Sequence, residues 1–321
     1  MNGKFLVHEI ELPEQAAGQR LDQALAAALP QYSRSRLQRW ISAGAVLVGG
    51  RAGKSSQRLA GGERLSVRAQ FSADRSVAAE AIELKIVFAD PLLLVINKPA
   101  GMVVHPGAGN ATHTLQNALL AVDGALALLP RAGLIHRLDK DTSGLLIVAR
   151  TPEAYDFLVR ELQERRIARH YLALCVGLPT AGGTVAEPIG RHRTQRTRMA
   201  VRGDGRPAIT HYRIEERFRG HTLLRVQLET GRTHQIRVHL AHIGLPLVGD
   251  PAYGGRRRQV AGASLALQSA LQAFRRQALH AQRLALRHPA TLEALHFDAP
   301  VPADLQQLLA ALRQDARMGR A

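Results

Sequence analysis

The chain has 321 residues, 46% of them hydrophobic, with 43 Lys and Arg against 26 Asp and Glu, a formal charge of +17. That length and apolar content suit two packed domains and exclude global disorder, and the charge excess fits a polyanionic partner, nucleic acid ahead of an anionic membrane surface. Aromatics at 4% argue against binding single strands by rows of stacked bases, and Cys175 as the sole cysteine excludes an intrachain disulfide, a cysteine-based zinc cluster and an iron–sulfur cluster.

The opening residues, MNGKFLVHEIELPE, acquire acids by Glu9 and build no apolar signal core. No stretch reaches the roughly 18 apolar residues of a membrane span; the nearest, residues 118–129, is interrupted by Asp123. We expect a soluble, cytoplasmic monomer with no membrane association. Leu21, Leu25 and Leu29 with Ala24 and Ala28 predict an amphipathic helix over residues 20–29, ended by Pro30. Ser33 can cap a second helix that turns Leu37 and Ile41 inward, stops near Gly44 and carries Arg34, Arg36 and Arg39 on its other face. Those arginines are either a solvated face or a contact surface. AGAVLVGG and GGERLSVRA then predict two short strands around turn glycines. Residues 71–82 lack periodicity and read as a linker, with the boundary near residue 75. The predicted units are therefore 1–75, including an N-terminal strand, and 76–321.

In the second unit, IELKIVFAD and LLLVINKP predict strands, the first half-buried and the second fully buried. The loop VVHPGAGN has neither glycine order of the nucleotide-binding motifs. The stretch IHRLDKDTSGLLIVAR sets a polar loop, with His136, Arg137, Asp139, Lys140 and Asp141, against the buried strand LLIVA. A loop held by a rigid strand is where catalytic groups are placed. The bland alternative is a turn in which an Asp bonds its own backbone, and spacing alone does not separate Asp139 from Asp141. His234, His239 and His242 form no ligand stripe, and no metal motif is present, so no metal is expected. Cys175 sits in the apolar run YLALCVG as a buried small hydrophobe. Residues 191–206 hold six arginines against Asp204, and 256–258 are three more. Residues 260–282 are Ala- and Gln-rich and look helical, and the chain ends in a predicted helix with a frayed tail.

The order RLDQAL, SRSRLQRWI, AGAVLVGGR, LAGGERLSV resembles the S4 RNA-binding domain, with Gly49 standing where that family usually has Asn. The resemblance implies phosphate contacts for Arg34, Arg36 and Arg39. HRLDKDTSGLLIVAR resembles the defining motif of the RluA-type pseudouridine synthases. RRIARHYLALCVG and TGRTHQIRVHLAHIGLPLVGDPAYGG are similar to two further blocks of that family, in the same order. The resemblance implies an α+β fold: a mixed, mainly antiparallel sheet with flanking helices, preceded by the small S4-like domain. It implies Asp139 as the catalytic residue, Tyr171 as the ring and hydroxyl near the reacting base, and Arg237 as the basic partner of the Asp.

PQYSRSR, VVHPGAGN, PRAGLIHRLDKDT, TAGGTV, THYRI and QALHA are similar to members that act on 23S ribosomal RNA. This implies uridines of the helix 69 hairpin loop as targets, in free rRNA or in the assembling large ribosomal subunit. The isomerisation adds and removes no atoms, so no cofactor is expected. A carboxylate can serve it as nucleophile or as the base that yields a glycal, and both routes stay open. Arg137 is a candidate to fill the space of a flipped base, or else a structural ion pair. A non-catalytic S4-type ribosome-assembly factor is the alternative from another class; a methyltransferase is disfavoured by the lack of a glycine-rich cofactor unit.

Overall fold

The apolar stripe predicted near the front is α1 (Leu21–Ala28), preceded by β1 (Phe5–Glu11) and followed by α2 (Arg34–Ser42), β2 (Val46–Val48), β3 (Arg51–Ala52) and β4 (Arg64–Gln70). The computed structural model describes residues 5–30, 32, 34–70, 77–107, 109–195, 197–254 and 261–318, without the side chains of 5, 34, 35 and 70. Ser33, the expected cap of α2, and the proposed boundary near residue 75 lie outside the described residues. The four strands form an antiparallel sheet in the order β1-β4-β2-β3. Leu21 and Leu25 of α1, Leu37, Trp40 and Ile41 of α2, and Leu65 and Val67 of β4 share one apolar cluster. Gly49 and Gly50 join β2 to β3 at φ +54° and +82°. A two-residue hairpin turn favours positive φ at both positions, and Asn adopts it nearly as readily as Gly, so Gly49 keeps the turn where related domains use Asn.

The rest of the chain runs β5 (Ile86–Ala89), β6 (Leu93–Lys98), α3 (Leu115–Val122), β7 (Ser143–Ala149), α4 (Pro152–Gln163), β8 (Ala168–Val176), β9 (Gly183–Val185), β10 (Ile189–Arg191), β11 (Met199–Val201), β12 (Thr210–Arg217), β13 (His221–Leu228), α5 (Gln235–His242), α6 (Leu265–Ala273), β14 (Leu279–Arg287), β15 (Ala294–Asp298) and α7 (Ala303–Met318). The main sheet has the order β5-β6-β7-β14-β8-β13-β12-β9, with β15 also paired to β14. Among the described strands only β7 and β14 pair in parallel. β10 and β11 form a separate ribbon. The mixed, mainly antiparallel sheet with flanking helices matches the expectation from sequence.

Period-two alternation divides the core. On β8, Tyr171, Ala173 and Cys175 join the cluster that contains Leu115 and Leu119 of α3 and Ile236 and Leu240 of α5. Leu172 and Leu174 face Leu267 of α6 and Leu305, Leu308 and Leu312 of α7. The helical look of residues 260–282 is only partly realised: α6 ends at Ala273, and β14 begins at Leu279. The sheet overrides helix propensity there, because β14 is the strand that joins β7 to β8. IELKIVFAD likewise yields a shorter strand, β5, which among the described strands pairs with β6 alone, through a register shift.

Candidate active site

Every residue of β7 is buried, and residues 135–142 hang from its N-terminal end. This loop is tied down from both neighbouring strands. Lys98, at the end of β6, is fully buried, and its Nζ donates to the carbonyls of Pro99, Met102 and Lys140 at 2.7, 2.9 and 2.9 Å. Burial pushes the Lys98 amine down to about 7, against the charges of Asp141 and Asp139. The three carbonyls call for three N–H donors, which only the ammonium has. From the other side Arg276 donates to the Asp141 carbonyl (3.2 Å), Gln277 to Thr142 Oγ1 (3.1 Å), and Ser143 Oγ bonds His280 Nδ1 (2.9 Å). Thr142 N–H closes the turn on the Asp139 carbonyl at 3.1 Å.

These ties aim Asp139 at Arg237. Arg237, near the start of α5, donates Nη1 to Asp139 Oδ2 at 3.0 Å, and Nε and Nη2 to Asp250 at 2.7 and 2.8 Å. Burial opposes the charge on Arg237, but the bonds and charges of Asp250 and Asp139 outweigh it and raise its pKa. Burial also opposes the Asp250 anion, which Arg237 and the N–H groups of Ala252 and Tyr253 nevertheless hold below the usual carboxylate range. Asp250 thus fixes the guanidinium, and one arm of it is left for Asp139.

The second oxygen, Asp139 Oδ1, faces His234 Nε2 at 3.9 Å, beyond hydrogen-bond reach. His234 caps α5 at φ +57°, a strained backbone for a residue with a side chain. Gln235 holds it there, donating to Ile209 O and Thr210 Oγ1 and accepting from Arg232 N–H and Thr230 Oγ1. The Tyr253 hydroxyl accepts from Met199 N–H and meets His234 Nδ1, both at 2.8 Å. With that hydroxyl proton given to Nδ1, the imidazole proton sits on Nε2, toward Asp139. Burial keeps His234 neutral against the pull of Asp139. The Tyr253 ring also lies 5.0 Å from the guanidinium carbons of Arg237 and Arg198.

Asp139, Tyr171 and Arg137 line one cavity of about 460 Å³. Tyr171 is buried, which raises its pKa. Arg137 is exposed, with no ion pair among the described residues. Asp141 does not line the cavity, which separates two carboxylates that spacing leaves equivalent. His239 turns to Thr210 and the Glu187 carbonyl, away from His234, and Cys175 is buried. Arg39 of α2 is exposed, and the side chain of Arg34 is not described. Arg36 departs from the expectation of an RNA contact: it is buried, and its charge acts on Tyr32 and Tyr155 of α4. In residues 191–206, Arg202 pairs with Asp204, whereas Arg193 and Arg206 have no ion pair among the described residues. Residues 256–258 lie outside the description.

No role for Lys98, His234, Asp250 or Tyr253 is legible in the sequence alone. All four stand in quoted motifs, but their value lies in partners distant along the chain.

A family model described as RNA pseudouridylate synthase matches residues 92–242, and an S4 domain model matches residues 19–65. The Ribosomal large subunit pseudouridine synthase D of Xanthomonas campestris pv. campestris is 51% identical over 95% of this chain and 92% of its own length. The protein of the same name from Escherichia coli strain K12 is 52% identical over 94% and 93%. Among solved structures, Human RNA Pseudouridylate Synthase Domain Containing 4 matches with TM-score 0.55 and 29% identity over 71% of this chain and 92% of that one. Human RNA Pseudouridylate Synthase Domain Containing 1 gives 0.53 and 28% over 73% and 96%. With this similarity along nearly its whole length, the chain belongs to the RNA pseudouridylate synthase family, isomerases of RNA, and carries an S4 domain ahead of the catalytic region.

Proposed function

We propose that the protein converts uridine to pseudouridine in 23S ribosomal RNA, at the hairpin loop of helix 69, with Asp139 as the essential carboxylate. The observation that carries this reading is the bond from Arg237 to Asp139 Oδ2, which leaves Oδ1 without a hydrogen bond among the described residues, at the cavity that Tyr171 also lines. The printed names of the bacterial relatives support the ribosomal substrate.

The reaction breaks the N1–C1′ bond and rejoins the uracil through C5, with no atom gained or lost. Asp139 Oδ1 supplies the lone pair, toward carbon or toward a ribose proton. Arg237 meets the charge on the other oxygen. Tyr171 packs on the uracil, and its hydroxyl reaches the reacting centre. The base leaves its stack to enter the cavity, at a cost of a few kcal/mol that a loop reduces, and Arg137 at the rim fills the space it vacates. The S4 unit, within residues 1–75, anchors the RNA through Arg34 and Arg39, and residues 76–321 carry the chemistry. The protein acts as a cytoplasmic monomer on rRNA or on the assembling subunit.

Asp139→Asn tests the assignment. Pseudouridine in a 23S transcript falls below detection, while RNA affinity changes by less than about threefold, under 1 kcal/mol. Conversion at the wild-type rate would refute the role of Asp139. Mapping pseudouridines in rRNA from a strain lacking the protein tests the helix 69 target: the loop positions lose the modification, and their retention would move the substrate elsewhere.

A further inference from the structure

Arg169 stands two residues before Tyr171 on β8, so both side chains leave the same face of the strand, about 6.6 Å apart along it. It is only 5% exposed and lines the cavity that holds Asp139 and Tyr171. Its Nε is buried with no hydrogen-bond partner, and no carboxylate pairs with it among the described residues. The acids of the cavity are engaged elsewhere, Asp139 with Arg237, and Glu229 with Arg165 and His211. Gly231 makes room for the guanidinium: a Cβ there would stand 3.0 Å from Nη1.

His136 adds a second donor. Its Nε2 accepts from Ile147 N–H at 3.3 Å, so the proton of the neutral ring sits on Nδ1, which is also buried without a partner. His136 lies close enough to feel the charge of Arg169, and it lines the same cavity.

An uncompensated buried cation is costly, and the cost is relieved by a counter-charge that also takes its hydrogen bonds. A uracil carbonyl takes a bond but brings no charge. A phosphodiester brings both, and a guanidinium fork matches its oxygens. We propose that Arg169 and the Nδ1–H of His136 form an anion seat in the cavity that binds one backbone phosphate beside the target uridine. This inference rests on the reading of the protein as a synthase acting on RNA hairpins.

The test is a charge-deletion cycle. Hairpins cut from 23S RNA around the converted position carry single uncharged methylphosphonates at each phosphate flanking the target. Their binding is measured with wild type, Arg169→Gln and Arg169→Lys. One position weakens wild-type binding about 10- to 100-fold, as a lost charge-assisted contact should. At that position the penalty vanishes with Arg169→Gln and shrinks with Arg169→Lys, and it persists at the others. Equal penalties in all three proteins at every position would overturn the seat. Arg169→Lys keeps the test decisive should Arg169→Gln fail to fold. Pseudouridine formation by wild type on the unsubstituted hairpin is read in parallel, so failure of the broader reading is seen separately.

Discussion

Two histidines near the cavity are neutral bases whose protonation the fold resists. Burial pushes His136 down to about 3, with the charge of Arg169 acting the same way. Burial pushes His105 to about 4, helped by Arg131 and Arg137. The unfolded chain takes up a proton at each below about 6.5, whereas the folded chain waits until 3 or 4. Between those limits the unfolded state binds more protons, so stability rises with pH and is lost as pH falls from 6.5. Each histidine contributes about 1.4 kcal/mol per pH unit. Urea unfolding between pH 7.5 and 5 should therefore show a steep loss for wild type. The variant His105→Gln/His136→Gln should lose about 3 kcal/mol less per unit in the range where both act. Equal slopes for the two proteins would show that these histidines titrate normally.

At the scale of elements, the loop of Asp139 depends on how closely β7 approaches β14. Gly144 sits in β7 opposite Ala281 at φ +116°, and a Cβ there would overlap the Ala281 backbone. Gly144→Ala should cost about 3 kcal/mol or more, from the backbone conformation and the clash together, read as a lowered denaturation midpoint with loss of pseudouridine formation. An unchanged midpoint would mean that β7 can shift without harm. The buried run LLIVA and the polar loop before it were legible because a strand buried on both faces is written as continuous apolar residues. The stripe of α1 was legible for the same local reason. The α6–β14 boundary was not: Ala, Gln and Leu favour helix, and pairing with β7, β8 and β15 decides for strand. Asp139 stood out in its motif, but its bond to Arg237 spans 98 positions. Lys98 falls at the polar end of a predicted strand, and only the fold brings it its three carbonyls. Asp250, His234 and Tyr253 gain their meaning from Arg237, and no local pattern announces that.

Over the whole molecule the +17 is uneven in kind rather than in place. Residues 1–70 carry +5 and the remainder +12, but much of the arginine is spent on structure. Arg166 and Arg287 share Glu161, Arg150 holds Asp123, Arg276 holds Asp304, and Arg313 holds Glu216. These contacts neutralise acids as well as bases, and Glu161 alone serves two arginines. The outward positive charge is thus left to residues such as Arg137 at the cavity and Arg193 and Arg206 around the β10–β11 ribbon; Arg39 of α2 is exposed as well. If one RNA spans both units, removing a contact in either should lower the salt dependence of binding by a similar step. A plot of log Kd against log salt for a 23S fragment should become shallower by about 0.7–0.9 for Arg39→Gln, and by the same amount for Arg193→Gln or Arg206→Gln. Arg36→Gln should behave differently, because its side chain is buried against Tyr32 and Tyr155: its thermal midpoint falls while the slope holds. A slope unmoved by Arg39→Gln would show that the S4 unit makes no phosphate contact through that residue.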